Sequence, residues 1–227
     1  MKPIPVIAID GPAASGKGAV AQEVAKRLGF HYLDSGAIYR AVALAIDSAG
    51  KDASSPDLKE TDAVAIAEGM NLRFRDGMVL LGDRNVTDLI RSEACGVKAS
   101  KIAVLPRLRR ALLDLQRAFR RPPGLVAEGR DMGSVVFPDA ALKIFLTAGV
   151  AVRAERRHKQ LMEKGINATI RDLLNDIESR DERDKQRNVA PLRTDSDTKI
   201  IDTTSLSLLE SVAAVLKLYA LSAANQT

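Results

Sequence analysis

Tryptophan is missing from this chain of 227 residues, and only three tyrosines and five phenylalanines make up its aromatic content. Proteins that grip single-stranded nucleic acid stack bases on aromatic rings, so this scarcity argues against a nucleic-acid partner. One cysteine, Cys95, excludes an internal disulfide and suits a reducing cytoplasm. It lies in a helical-looking stretch and reads as a small buried apolar residue. No apolar run reaches the ~18 residues of a transmembrane helix, so no membrane partner is expected. The chain enters its first strand at once, so no signal peptide is expected. The two histidines, His31 and His158, stand in no Ser/His/Asp arrangement and are expected to be non-catalytic. With no obvious exposed apolar stripe to demand a second copy, a monomer is expected.

What is present points to a globular protein with a sizeable core: 46% of residues are hydrophobic and 28% charged. The net charge of +5 comes mostly from arginines grouped in Arg107–Arg130 and Arg153–Arg193, with no lysine-rich tail. That grouping fits a concave site for small phosphorylated ligands.

The apolar run Ile4–Ile9 reads as a buried strand. It feeds Gly11-Pro12-Ala13-Ala14-Ser15-Gly16-Lys17, and an amphipathic helix follows to Gly29. Strand, G-x4-G-K loop and helix together are the context of a phosphate-binding loop. Its glycines let successive backbone N–H groups converge on phosphate oxygens, the helix N-terminus adds partial positive charge, and Lys17 reaches the outer phosphates.

Beyond this loop, strand and helix signals alternate as in a parallel α/β sheet. Phe30–Leu33 is a strand ending at Asp34-Ser35-Gly36, with helix from about Ala37 to Ala49 and again over Asp57–Glu68. Asn71–Phe74, Met78–Leu81 and Arg84–Thr87, separated by Asp76-Gly77 and Gly82-Asp83, predict a small antiparallel insertion at about 70–88. Helices are expected at 89–104 and 107–121, the second stopped by Pro122-Pro123. Leu125–Ala127 and Leu142–Leu146 are buried strands, Ala151–Lys164 and Ala168–Arg187 charged helices, Ile200-Ile201 the last strand and Leu206–Leu221 a closing helix.

Polar clusters fall at three strand ends, the place where open α/β sheets bind ligands: the phosphate loop, Asp34-Ser35, and Glu128-Gly129-Arg130-Asp131. Glu128 stands where an acidic residue near nucleotide-bound Mg²⁺ is expected and would act through metal-bound water; the alternative is a structural carboxylate paired with an arginine. Arg180, Arg183, Asp184 and Arg187 share one helix face, and Ile170, Leu173, Leu174 and Ile177 make a buried stripe beside it. Arg153, Arg156 and Arg157 form a second basic group before Gly165. Two such groups suggest a lid that closes over phosphates, excludes water and neutralises charge on a transferring phosphoryl. An acceptor that is itself a phosphate needs no strong general base. No Asn/Thr-Lys-x-Asp guanine signature follows any strand, which argues against a GTPase.

These residues resemble the bacterial cytidylate kinases over almost the whole chain. The resemblance rests on Ile9-Asp10-Gly11-Pro12…Ser15-Gly16-Lys17-Gly18, Leu33-Asp34-Ser35-Gly36-Ala37-Ile38-Tyr39-Arg40, Gly129-Arg130-Asp131-Met132-Gly133, Val136-Phe137-Pro138-Asp139-Ala140 and Arg180-Asp181-x-x-Asp184-x-x-Arg187…Ala190-Pro191-Leu192. It implies a P-loop NTPase-like parallel sheet flanked by helices, with a core of 1–40, 105–150 and 195–227, a monophosphate-binding region with the β insertion at about 41–104, and a helical lid at about 151–194. It implies transfer of the γ-phosphoryl of ATP, with Mg²⁺, to CMP or dCMP. The implied ATP site is Gly11, Pro12, Ala13, Ala14, Ser15, Gly16, Lys17, Gly18 and Ala19, with Arg153 and Arg157 from the lid. The acceptor phosphate would meet Arg40, Arg130 and Arg187, the ribose Arg180 and Asp184, and the cytosine edge Ser100, Arg109 and Asp131, with Ser35 close by. Lys17, Arg130, Arg157 and Arg187 would be the catalytic groups. A carboxylate suits the N4 amino group of cytosine, whereas uracil would place its O4 acceptor there.

One departure stands out. The family usually has Gly and then Thr or Ser after the lysine; here Gly18 is followed by Ala19, so no hydroxyl is available at either position. Activity is expected to be retained, with Mg²⁺ held by phosphates, water and carboxylate. Steady-state kinetics of Ala19→Thr check this: kcat should stay within a few-fold of the parent, whereas a large gain would show that the missing hydroxyl limits the native site.

Overall fold

The computed structural model describes residues 3–75, 77–163, 165–186, 192 and 194–224. Arg187, one of the expected site residues, and Ala190-Pro191 lie outside them.

By internal packing the chain forms two compact units, residues 1–33 with 119–227 and residues 34–118. Residues 34–40 and 105–118 belong to the second unit, where α2 (Ser35–Ser48) lies on α5 (Glu93–Ile102) and α3 (Glu60–Gly69) on α6 (Pro106–Arg117).

The first unit is built on a five-stranded sheet ordered β2-β6-β1-β7-β8, with β1 at Val6–Asp10, β2 at His31–Asp34, β6 at Leu125–Gly129, β7 at Leu142–Thr147 and β8 at Lys199–Asp202. Central β1 is an unbroken buried run, as parallel strands covered on both faces require. It pairs in parallel with β6, Val6 opposite Leu125 and Asp10 opposite Gly129, and with β7, Asp10 opposite Phe145. The carboxyl ends of β1 and β6 therefore emerge side by side. Helices α1 (Lys17–Leu28) and α9 (Leu208–Ala224) pack together, and Val20, Val24, Val212 and Val215 join Ile7, Ile9, Val126, Ile144 and Leu146 in one core. Each such side chain contributes about 1.5–3 kcal/mol on burial. Gly29 ends α1 in a left-handed conformation, its N–H returned to Ala25 and Lys26 carbonyls.

In the second unit, Asp34 caps α2 by accepting the Ala37 N–H, which starts the helix two residues earlier than the sequence suggested. The insertion is a three-stranded antiparallel sheet, β3 (Leu72–Arg75), β4 (Met78–Leu81) and β5 (Arg84–Asn85), as expected. The helix expected over 89–104 is broken: a single turn, α4 (Thr87–Ile90), precedes α5, whose N-terminus Ser92 caps by accepting the Cys95 N–H. Helix α6 ends at Arg117, before the prolines.

Back in the first unit, α7 (Val150–Met162) and α8 (Ile170–Lys185) form a hairpin around Gly165, which sits at φ +70°. Ala154, Leu161, Leu173 and Ile177 make its small core, with Leu174 packed against it. Ile170 was expected in that stripe but is exposed at the first turn of α8. One turn of π-helix over Met132–Val136, directly after Asp131, was not foreseen. No helix among the described residues is long and apolar enough to cross a membrane.

The start of the phosphate loop is sterically locked. A Cβ on Gly11 would lie 2.1 Å from the carbonyl oxygen of Leu146, a backbone atom of β7 that cannot swing aside. Gly11→Ala should lower stability in denaturant unfolding by on the order of 1–3 kcal/mol or more; an unchanged midpoint would contradict this packing.

Candidate active site

Residues 11–17 curl between β1 and α1. Ala14 carries the one positive φ among described non-glycine residues, +57°, and packs against the core of the α7–α8 hairpin. Gly16 is also left-handed, at φ +87°, and caps α1. The Lys17 side chain is buried and its ammonium donates to the Pro12 carbonyl at 3.1 Å, folding back across the loop as a phosphate-binding lysine does.

Glu128, buried at the end of β6, aims its carboxylate at the start of α1. A Cβ on Gly18 would stand 2.8 Å from Glu128 Oε1, so this oxygen fills the room a hydroxyl-bearing residue at 18 would need. Ala19 is exposed. The Tyr32 hydroxyl, on β2, donates to the same oxygen at 2.8 Å and fixes its orientation. Among the described residues no three acidic, histidine or cysteine side chains converge as a metal cage. A lone carboxylate beside a phosphate loop fits Mg²⁺, a hard ion that keeps several waters and takes its other oxygens from nucleotide phosphates.

The next residues carry charge of both signs. Arg130 donates through Nε to Asp184 Oδ2 at 2.6 Å and through Nη1 to the Gly129 carbonyl at 3.3 Å. Burial alone would favour losing its proton, but the Asp184 charge and hydrogen bond, with Glu128 and Asp181 nearby, hold the guanidinium firmly charged. Asp184, almost wholly buried, brings α8 to the end of β6. Asp131 is buried and opens the π-helical turn. Arg180, one turn before Asp184 on α8, is half-buried.

The lid arginines divide. Arg153 is buried, its guanidinium engaged by the Ala148 and Ala13 carbonyls, each at 2.9 Å, and by Asp181 at 2.7 Å. Arg157 donates along α7 to Gln160 Oε1 at 3.3 Å. Arg156, absent from the expected site residues, also stands beside the loop: its Nη1 lies 3.9 Å from where a Gly16 Cβ would stand and donates to Thr203 Oγ1 at 3.0 Å.

The second unit holds four expected residues. Ser35 is buried and donates to Gln116 Oε1 at 2.7 Å. Arg40 donates to the Ile90 carbonyl at 2.8 Å. Arg109 is buried, donates to the Ala103 carbonyl at 3.0 Å and lies over the Tyr39 ring at 5.9 Å. Ser100 is half-buried on α5. Cys95 is half-buried and donates to the Arg40 carbonyl at 3.3 Å. In the first unit, His31 pairs with the Pro122 carbonyl, a structural role.

Asp10, Tyr32 and Asp181 were also missed. Asp10 gave a signal, a lone acid ending an otherwise apolar strand. Its two oxygens accept the N–H groups of Met132 at 2.8 Å and Gly133 at 2.9 Å, which pins the turn following Arg130 and Asp131. Burial pushes its carboxyl from 3.8 up to about 7, outweighing the two amide bonds that pull it down.

A family model described as cytidylate kinase matches residues 7–221. A cytidylate kinase from Nitrosomonas europaea is 54% identical over 217 residues, 96% of this chain and 96% of that one. Another from Cupriavidus necator is 55% identical over 216 residues, 95% of each. Among solved structures, a gluconokinase from Sinorhizobium meliloti overlays with a TM-score of 0.51 at 16% identity, covering 100% of this chain and 97% of that one, a likeness of fold alone.

Asp10 also makes stability depend on pH. Between pH about 4 and 7 the folded protein holds a proton here that the unfolded chain has released, so this group's contribution is complete at the acid end and is lost as pH rises to about 7. Asp10→Asn replaces one acceptor with a donor and cannot titrate. It should be destabilised by about 1–3 kcal/mol at pH 5, and the gap to the parent should narrow by pH 7.5. A gap independent of pH in urea unfolding would contradict the assignment.

Proposed function

The chain belongs to the cytidylate kinase family, and we propose that it moves the γ-phosphoryl of ATP to CMP or dCMP, giving ADP and CDP or dCDP. The observation that carries the reading is the Arg130–Asp184 pair at the end of β6, next to the strand that feeds the phosphate loop. It sets a permanently charged, half-buried guanidinium where an acceptor phosphate would approach a bound triphosphate.

In this reading the loop of residues 11–19 and Lys17 hold the ATP phosphates, the donors being the backbone N–H groups other than Pro12, which has none, and Ala13, which donates to Asp181. Glu128, oriented by Tyr32, is the residue that would hold Mg²⁺ through water, and the ion would supply positive charge to the phosphates. Arg40, Arg130 and Arg187 take the acceptor phosphate, and Arg180 and Asp184 the ribose. The acceptor oxygen is already anionic, so catalysis is positioning and charge neutralisation, to which arginines can contribute ~10³–10⁵ in rate. Arg157 brings further charge from α7, and closure of the α7–α8 hairpin keeps water from taking the phosphoryl. Ser100, Arg109 and Asp131 read the cytosine edge, with Ser35 in support. A cytoplasmic monomer with no nucleic-acid or membrane partner completes the proposal.

An ADP-release assay with MgATP and CMP, dCMP, UMP, AMP, GMP or no acceptor tests it. Turnover with CMP and dCMP should far exceed the rest; preference for another acceptor would overturn the base-reading assignment. Asp131→Asn should lower the CMP-to-UMP ratio of kcat/KM by on the order of tenfold or more, and an unchanged ratio would remove Asp131 from base recognition.

A further inference from the structure

Asp181 has no place in the reading above, yet it is buried within the α7–α8 hairpin and makes two directed contacts. Its Oδ1 accepts the Ala13 N–H at 3.3 Å, and its Oδ2 pairs with Arg153 Nη2 at 2.7 Å. Arg153 in turn donates from Nη1 to the Ala13 carbonyl at 2.9 Å and from Nε to the Ala148 carbonyl at 2.9 Å. Both polar groups of residue 13 are therefore held by one ion pair, the N–H by α8 and the C=O by α7. A buried pair is secure only when its remaining lone pairs and protons are satisfied in this way.

The held residue precedes Ala14, whose left-handed backbone is unfavourable for an alanine. Ala14 also packs on the hairpin core. The crown of the phosphate loop is thus shaped from outside by the two lid helices. The same face of α8 carries Asp184, which pairs with Arg130, and the Asp181 charge itself acts on Arg130. One helix turn joins the loop clamp to the groups that the proposed function assigns to the acceptor.

We propose that Asp181 and Arg153 are positioning residues that couple the two substrate sites. An acceptor engaging Arg130, Arg180 and Asp184 fixes α8, and α8, through Asp181 and Arg153, fixes the Ala13–Ala14 crown that receives the ATP phosphates. The inference rests on the kinase reading for the identity of the two ligands. It also assigns Arg153 to the loop backbone, in place of the phosphate contact expected from the sequence.

The test is calorimetric titration of the full chain with a non-hydrolysable ATP analogue and Mg²⁺, with and without saturating CMP, alongside titration with CMP alone. In the parent, CMP should tighten the analogue by about fivefold or more. Asp181→Asn keeps an acceptor for the Ala13 N–H but loses the charge that orients Arg153; its coupling should fall toward onefold while its affinity for CMP alone stays within about twofold. Arg153→Lys keeps the positive charge but cannot hold three partners, and it should show the same loss if Asp181→Asn proves unstable. Hydrogen exchange at Ala13 and Ala14 should quicken in both. Parent CMP binding with no coupling, or full coupling in both variants, overturns the inference alone. Failure of the parent to bind CMP overturns the functional reading and the coupling with it.

Discussion

A loop that binds phosphate through its own amides must be held in a curl that the chain does not favour unaided, and the rest of this structure follows from how that curl is held. At its start, Gly11 presses against the Leu146 carbonyl closely enough that no side chain fits. At its crown, Ala13 is gripped by Asp181 and Arg153 and Ala14 takes a left-handed conformation. At its end, Gly16 turns the chain into α1 and Lys17 folds back to Pro12. Each grip comes from a different element: β7, the α7–α8 hairpin and α1. Much of the loop's ordering is therefore in place before ATP arrives, and the hairpin's grip on the crown is the part that acceptor binding reinforces.

The second theme is the pairing of buried charge. Asp10, Glu128, Asp131, Arg153, Asp181 and Asp184 are all buried in the first unit. Unpaired, each would be costly. Asp10 takes two amides, Glu128 a tyrosine hydroxyl, Asp181 an amide and Arg153, and Asp184 takes Arg130. The result is a field already organised before a nucleotide arrives, which is what stabilising charge in a transferring phosphoryl demands. Placing Glu128 against Gly18 also explains the glycine there: the carboxylate occupies that space, and a larger residue at 18 would displace it, whereas nothing in the structure explains the loss of the hydroxyl at exposed Ala19.

Much of this was legible along the chain. The apolar runs of β1, β6 and β7, the G-x4-G-K loop and the hairpin turns at 76–77 and 82–83 are local patterns, and local patterns specify local structure. The arginine face of α8 was visible from its spacing. Contacts across the sequence were not: Tyr32 with Glu128 is 96 residues apart, Asp10 with Met132 122, and Asp181 with Ala13 168. The resemblance placed Arg153 on the ATP side, but only packing reveals that its guanidinium is already engaged by Ala13, Ala148 and Asp181. The break at 91–92 did carry a local sign, Ser92 capping toward Cys95, which an apolar periodicity running across it concealed.

A site built in this way delivers a phosphoryl to an anionic acceptor and keeps it from water. The most direct measurement follows the label from ATP carrying ³²P in the γ-position, with CMP present, separating CDP from free phosphate. Label entering the β-position of CDP, with free phosphate at the level of a protein-free control, is the predicted result. Label appearing mainly as free phosphate, with CMP unchanged, would contradict it.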